Sequence, residues 1–266
     1  MCGVVKCVLF VFYRCLIKGK LVSTPPEGRC TLSVSQLTVA TLFHNVKMAN
    51  KPVLCYWDIR GLAQPIRLLL AHTETDFEDK LLSCGPAPDY DKSCWFDNKY
   101  SLGLDFPNLP YYIDGEVKVT QSNAILRYIA RKHDMLGKND TERAMVDMMA
   151  EESMDFRNGW VRLCYNPDFE NLKEAYLTGL NSKLQRFSNF LATKSWFAGE
   201  SLTFVDFVMY ELIDQHKFLA PDCLKPYANL QAFQEKFEAL PKVSEYMKSS
   251  SFMKTPLNNK MAKFGF

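Results

Sequence analysis

The chain has 266 residues, 47% hydrophobic and 23% charged, the balance of an ordinary globular protein with one large or two modest domains. Its net charge of +2 is unevenly held, because residues 1–47 carry six basic residues against one acidic and the remainder is slightly acidic. That pattern lacks the basic stripe of a nucleic-acid binder, and nine scattered cysteines and four unpartnered histidines offer no zinc-ligand spacing and no disulfide framework, so no metal is expected.

In chain order, the first segment stands apart. Val8 to Tyr13 is an apolar run between Lys6 and Arg14, far short of the ~20 residues that span a bilayer. A signal-like reading fits poorly with the unpaired cysteines, and no membrane association is expected. Met48-Ala49-Asn50-Lys51-Pro52 looks like a natural start. Residues 1–47 are therefore expected to be a disordered extension or upstream translation that the working protein lacks.

Val53–Trp57 predicts a buried strand, preceded by Pro52 where no ladder N–H is needed. On strand alternation Cys55 and Tyr56 point to opposite faces, which makes Cys55 a core filler. Pro65 opens a helix at its first turn, and Lys80–Leu82 forms a second strand. Pro110–Ile113 and Glu116–Val119 flank Asp114-Gly115, a two-residue hairpin signal. A helix then runs from Ala124 to Lys132. After a linker near Asp134–Asn139, long helical patterns cover 141–165 and 168–192. Thr203 and Asp206 have the spacing of a capping box, with Leu202 and Phe207 as its hydrophobic staple. Phe204, Phe207 and Tyr210 form a core stripe.

The segment with most chemical content is Gln121-Ser122-Asn123-Ala124-Ile125-Leu126. Following a short strand, it puts Ser122 at a helix mouth, where free N–H groups and the positive end of the helix dipole receive an anion. A hydroxyl beside those N–H groups suits a carboxylate. Alone, Ser122 reads better as an ordinary cap residue, and it is the neighbouring segments that turn the reading toward an anion site.

Taken with Asn108-Leu109-Pro110, Val53–Gly61 and the run Ala87–Trp95, this segment resembles the glutathione transferases, whose helix-opening "SNAIL" sequence is present unchanged. The run Ala87–Trp95, followed by Gly103–Pro110, looks like the mu class. The resemblance covers the chain from about residue 50 to its end. It implies an α/β N-terminal thioredoxin-like domain, 50–133, with a four-stranded mixed sheet. An all-α C-terminal helical domain, 139–266, would carry the electrophile site. It also implies a cytoplasmic detoxification enzyme with reduced glutathione as co-substrate and no other cofactor.

The resemblance carries roles position by position. Tyr56 would donate its O–H to the glutathione sulfur and hold the thiolate, the nucleophilic form that a free thiol with pKa near 8.5 mostly lacks at neutral pH. Asn108, Leu109 and a cis Pro110 match the segment that pairs with the cysteinyl part of glutathione. Gln121 and Ser122 would hold the γ-glutamyl carboxylate, and Asp155 would reach the γ-glutamyl ammonium across a dimer. Trp57, Leu62, Trp95 and Lys99 match further glutathione contacts, with Lys99 on the glycyl carboxylate. Lys92 stands near a position usually held by arginine and keeps the charge without the bidentate fork. Leu62, Arg157, Tyr165, Asn258 and Asn259 would line the electrophile pocket, with a rim more polar than in many relatives. Phe106 matches an intersubunit lock, and Arg127 and Arg131 a basic pair at the two-fold axis, which implies a C2 homodimer.

Two other readings remain open at this stage. One is a non-enzymatic binder or structural relative on the same fold, since fold alone does not establish activity. The other is a glutathione-dependent isomerase or peroxidase that uses the same thiolate. A thioredoxin-like oxidoreductase is disfavoured, because the first strand–helix junction has no CxxC.

Overall fold

The computed structural model describes residues 51–266, so the expectations for residues 1–47 and for a start at Met48 lie outside it. Four strands form one mixed sheet in the order β2-β1-β3-β4. The first, β1 (Val53–Trp57), pairs in parallel with β2 (Glu78–Leu82) and antiparallel with β3 (Tyr111–Asp114), which in turn pairs with β4 (Val117–Thr120). A strand with neighbours on both sides and helices over both faces must be apolar throughout, and Leu54, Cys55 and Tyr56 are all buried. The edge strand β2 instead exposes Glu78, Asp79 and Lys80, charges that discourage pairing with another edge.

Eight helices complete the described residues: α1 (Gln64–His72), α2 (Ser93–Phe96), α3 (Ser122–Lys132), α4 (Asp140–Cys164), α5 (Phe169–Leu191), α6 (Phe204–Leu219), α7 (Ala228–Glu238) and α8 (Pro241–Lys248). Asn139 caps α4 by accepting the Glu142 N–H at 2.9 Å. Thr203 and Asp206 form the expected capping box of α6, where the Asp206 carboxylate accepts from the N–H groups of Thr203 and Phe197, each at 2.8 Å. Thirteen of the sixteen residues of α6 are buried, which makes it the axis around which the helical half is built. Phe204, Phe207 and Tyr210 lie in the main core, as their stripe predicts.

Three boundaries differ from the sequence reading. The hairpin turn is Gly115-Glu116, not Asp114-Gly115, because Asp114 pairs with Val117 as the last residue of β3. Its carboxylate is held there by the Tyr128 hydroxyl at 2.9 Å and the Lys132 ammonium at 2.5 Å, both from α3. Gly115, at φ +61, then takes the left-handed turn position. Strand β2 begins at Glu78, two residues earlier than expected, since its N–H donates to Pro52 at 2.8 Å. Helix α3 begins at Ser122, and the cap position belongs to Gln121, whose φ is +71.

Long-range polar contacts fix the loop after β1. Arg60, 1% exposed, pairs with Glu211 through two bonds of 2.9 and 2.6 Å and with Asp214 at 2.7 Å, both on α6. The N–H groups of Arg60 and Gly61 donate to Pro256 and Leu257 of the C-terminal tail at 2.9 and 3.2 Å. One side of this loop is thus tied to a core helix and the other to the tail.

Candidate active site

Tyr56 ends the buried part of β1 and is 5% exposed. Its ring edge and hydroxyl rest over Gly61, where an added Cβ would stand 2.7 Å from Cε1 and 2.8 Å from the hydroxyl oxygen. Gly61, at φ +42, is therefore required twice: for its backbone angle and for the space the hydroxyl occupies. The same hydroxyl faces Arg157 of α4. Burial pulls the Arg157 guanidinium below its ordinary range, while the neighbouring Tyr56 and Tyr165 phenols act in the opposite direction. Even so lowered, a guanidinium stays charged, so a cation stands at the Tyr56 hydroxyl.

Tyr165 follows the last residue of α4. Its oxygen accepts the Asn259 N–H at 2.8 Å, and burial pushes its hydroxyl up to about 12. Asn258 is buried and donates to the Phe264 carbonyl at 3.0 Å. Asn258 and Asn259 line a cavity of ≈ 330 Å³ with Asp58, Ile59, Cys84 and Lys260. Two hydroxyls and a guanidinium thus meet where β1, α4 and the tail converge, with a partly apolar cavity alongside.

Ser122 opens α3 at 5% exposure and lines a narrow crevice that also touches Gly61, Leu62 and Arg157. The mouth of α3 and the Tyr56 loop therefore border one crevice. Just upstream, the Leu109–Pro110 bond is cis, and the Leu109 N–H is taken by the Asn108 side chain at 2.9 Å. This geometry gives a buried phenol next to a cation, with a helix mouth nearby whose N–H groups can receive an anion. It suits stabilisation of a thiolate whose remaining atoms carry a carboxylate.

Known proteins point the same way. A family model described as "Glutathione S-transferase, N-terminal domain" matches residues 52–131, and one described as "Glutathione S-transferase, C-terminal domain" matches 154–250. Glutathione S-transferase Mu 3 of Homo sapiens is 56% identical over 213 residues, which is 80% of this chain and 95% of that protein. Glutathione S-transferase 2 of Gallus gallus is 56% identical over 204 residues, 77% of this chain and 93% of the relative. The chain belongs to the glutathione S-transferases, in their mu class.

Solved structures agree with the fold of the transferase. The glutathione S-transferase Blo t 8 superposes with a TM-score of 0.75 at 30% identity, covering 80% of this chain and all of that one (100%). A pi-class enzyme of Onchocerca volvulus superposes with a TM-score of 0.71, also at 30% identity, over 80% of this chain and 99% of its own.

The other expected positions fall into three groups. Trp95 is 5% exposed and stacks on Tyr111 at 6.2 Å, so most of its ring serves the core, while Trp57 is half-buried against the same core. Lys92 precedes α2, and Lys99 sits over the rings of Phe96 and Tyr100 at 5.4 and 4.8 Å. Gln121 is exposed beside Ser122. Asp155 lies away from Tyr56 and faces a groove between α4 and α5 with Gly159, Tyr176 and Lys183. Phe106 is 77% exposed. Arg127 pairs within its own chain with Asp147 at 3.2 Å and Glu151 at 3.0 Å, and Arg131 is exposed on the same helix. Sequence reasoning gave no role to Gly61 or Arg60. A glycine five residues past a strand-end tyrosine was the available signal for the first, whereas the second depends on partners 151 and 154 residues away.

Proposed function

We propose that the transferase binds reduced glutathione along the Asn108–Pro110 segment and the mouth of α3. The thiol would then lie at the Tyr56 hydroxyl, and the transferase would add it to hydrophobic electrophiles entering beside Tyr165. Tyr56 donates its O–H to the sulfur, favouring RS⁻ over RSH, and so converts a weak nucleophile at neutral pH into a strong one. Gln121 and Ser122 receive the γ-glutamyl carboxylate, with Lys99, Lys92, Trp57 and Trp95 along the rest of the tripeptide. Arg157, Leu62, Tyr165, Asn258 and Asn259 shape the electrophile side, where Tyr165 acts as a hydrogen-bond donor to oxygen-bearing electrophiles.

The observation that carries this reading is the Tyr56 hydroxyl, seated over Gly61 and beside Arg157, two residues that line one crevice with Ser122. A protein that only carried ligands would have no use for a phenol held so narrowly. Reduced glutathione is the sole co-substrate, and no cofactor is required.

The working form is a C2 homodimer in which Phe106 locks into the partner. An aromatic ring 77% exposed on a loop supports this, because so large an apolar group gains by being covered. Arg127 and Arg131 would lie near the two-fold axis and Asp155 would reach the neighbouring glutathione. A cytoplasmic setting suits the five unpaired cysteines of the described residues, among which no helix is long and apolar enough to cross a membrane.

Glutathione conjugation to chlorodinitrobenzene, followed beside calorimetric binding of glutathione, tests the reading. Binding together with turnover supports it. Binding without turnover would return the lead to the non-enzymatic or isomerase alternatives.

A further inference from the structure

Strand β2 is followed by a loop whose ends are drawn tightly together. The Gly85 N–H donates to the Asp91 carbonyl at 2.7 Å, and a side chain at Gly85 would come within 2.9 Å of the Asp91 nitrogen. Asp91 then holds the Ser93 N–H at 3.0 Å and its hydroxyl at 2.6 Å, which sets the start of α2. A thiol flanks this closed stem on each side. Cys94 is exposed, and its S–H donates to the Ser83 carbonyl at 3.5 Å. Cys84 is 5% exposed, and its S–H points to Asn259 Oδ1 at 3.7 Å while its carbonyl accepts from Lys260 at 3.0 Å.

A carbonyl oxygen lies about 2.8 Å from the next Cα in a trans peptide, by standard bond lengths. The sulfur of Cys94 is therefore at most about 6.3 Å from the Cys84 Cα. A disulfide needs it within about 4.8 Å of that Cα, so the bond closes when Cys84 turns about χ1 and Cys94 is drawn in by roughly 1.5 Å at most. The two thiols do not resemble each other in setting. Burial pushes the Cys84 thiol up, against the pull of Lys92 and Lys260, whereas Cys94 stands open to solvent.

We propose that Cys84 and Cys94 are a thiol–disulfide modification site, with glutathione disulfide as the oxidant and Cys94 as the thiol that meets it first. The Cys94 thiolate attacks one sulfur of glutathione disulfide, forming a mixed disulfide and releasing one glutathione thiolate. The Cys84 thiolate then attacks the Cys94 sulfur and releases the second. The two protein thiols lose two electrons and two protons, and one glutathione disulfide becomes two reduced glutathione molecules.

The bond would act on binding. Lys92 and Trp95 stand on either side of the Ser93-Cys94 pair, so drawing Cys94 toward Cys84 moves the start of α2. Turning Cys84 also removes its contact with Asn259, the residue whose N–H holds the Tyr165 oxygen. This second step rests on the glutathione-site reading above; formation of the bond does not.

The test treats the full chain with glutathione disulfide, blocks free thiols and digests with trypsin, which cuts after Lys92 and separates the two cysteines. The parent is expected to yield peptides 81–92 and 93–99 joined by a disulfide. Cys84→Ser should instead stop at a glutathionyl adduct on Cys94, and Cys94→Ser should yield neither product. The reduced Cys94→Ser variant should conjugate glutathione as the parent does. A parent that ends as a stable Cys94 adduct, or is unmodified at both positions, overturns the proposal. Glutathione affinity of the cross-linked protein should be weaker by roughly threefold or more, since misplaced contacts lose strength steeply. Equal affinity overturns the regulatory step alone. Absence of binding even to the reduced parent would refute the glutathione-site reading while leaving the cross-link map readable.

Discussion

The Tyr56 hydroxyl lies against Gly61 so closely that a single added carbon would stand 2.8 Å from its oxygen. Gly61→Ala must therefore move the phenol, and the left-handed φ of +42 adds backbone strain of about 1–3 kcal/mol. Conjugation by this variant is expected to fall by roughly tenfold or more in kcat, because a displacement of ~1 Å at a reacting centre has that order of effect. The KM for glutathione should change much less. Steady-state kinetics on variant still folded by circular dichroism checks this.

Arg60 forms a buried cluster with Glu211 and Asp214 that ties the same loop to α6. Burial alone would lower the Arg60 pKa, yet the two carboxylates outweigh it and hold the guanidinium above its ordinary range. Arg60→Met leaves the Glu211 carboxylate buried without a counter-charge, with only the Gln215 amide donating to it at 2.6 Å, and should cost about 3–5 kcal/mol. Arg60→Met combined with Glu211→Met should recover much of that loss, since removing both charges removes the unpaired one. Urea denaturation of the two variants separates these outcomes.

His216 is fully buried, stacked on Phe156 at 4.3 Å, with Nδ1 2.6 Å from the Leu212 carbonyl and Nε2 2.7 Å from the Tyr176 hydroxyl. A carbonyl only accepts, so Nδ1 carries the proton and Nε2 accepts from Tyr176. Burial lowers the His216 pKa to about 4. Between its ordinary value near 6.5 and that point, the unfolded chain binds a proton that the folded chain refuses. Stability from this group is therefore lost as pH falls through that window, by about 3 kcal/mol in all. Asp206 works in the opposite direction, because burial raises its pKa to about 6 and the folded state takes up its proton first on acidification. The clean readout is a difference: the stability gap between the parent and His216→Gln should narrow by about 3 kcal/mol from pH 7 to pH 4. A constant gap would show that His216 protonates as easily in the folded chain.

Phe106 exposes most of its ring in the single chain. If it locks into a partner, Phe106→Ser should shift the protein toward monomer at micromolar concentration in sedimentation velocity. A fully dimeric variant would assign the interface to other residues.

Local features of this fold were legible in the sequence. Strand β1, the capping box at Thr203 and Asp206, and the apolar stripe of α6 depend on neighbours a few residues apart, and each was found where the pattern put it. The hairpin turn was misplaced by one residue because Asp114 is held by Tyr128 and Lys132, side chains that no local pattern includes. The site divides in the same way. Tyr56 and Ser122 stood out as a strand end and a helix mouth; Gly61, against which Tyr56 packs, borders the same crevice as Ser122. The contacts that hold them, Arg60 to Glu211 and Asn259 to Tyr165, join residues 151 and 94 apart and follow only from the packed chain. The burial of Trp95 against Tyr111 was equally hidden, since an aromatic on a short helix reads the same whether it faces ligand or core.

The most direct measurement is the ionisation of bound glutathione. Titrating its thiolate ultraviolet absorbance on the parent and on Tyr56→Phe compares the sulfur with and without the phenol hydrogen bond. The parent midpoint should lie below the ~8.5 of a free thiol, and the variant midpoint should rise by about one pH unit or more while glutathione still binds. Identical midpoints in the two proteins would contradict thiolate stabilisation by Tyr56.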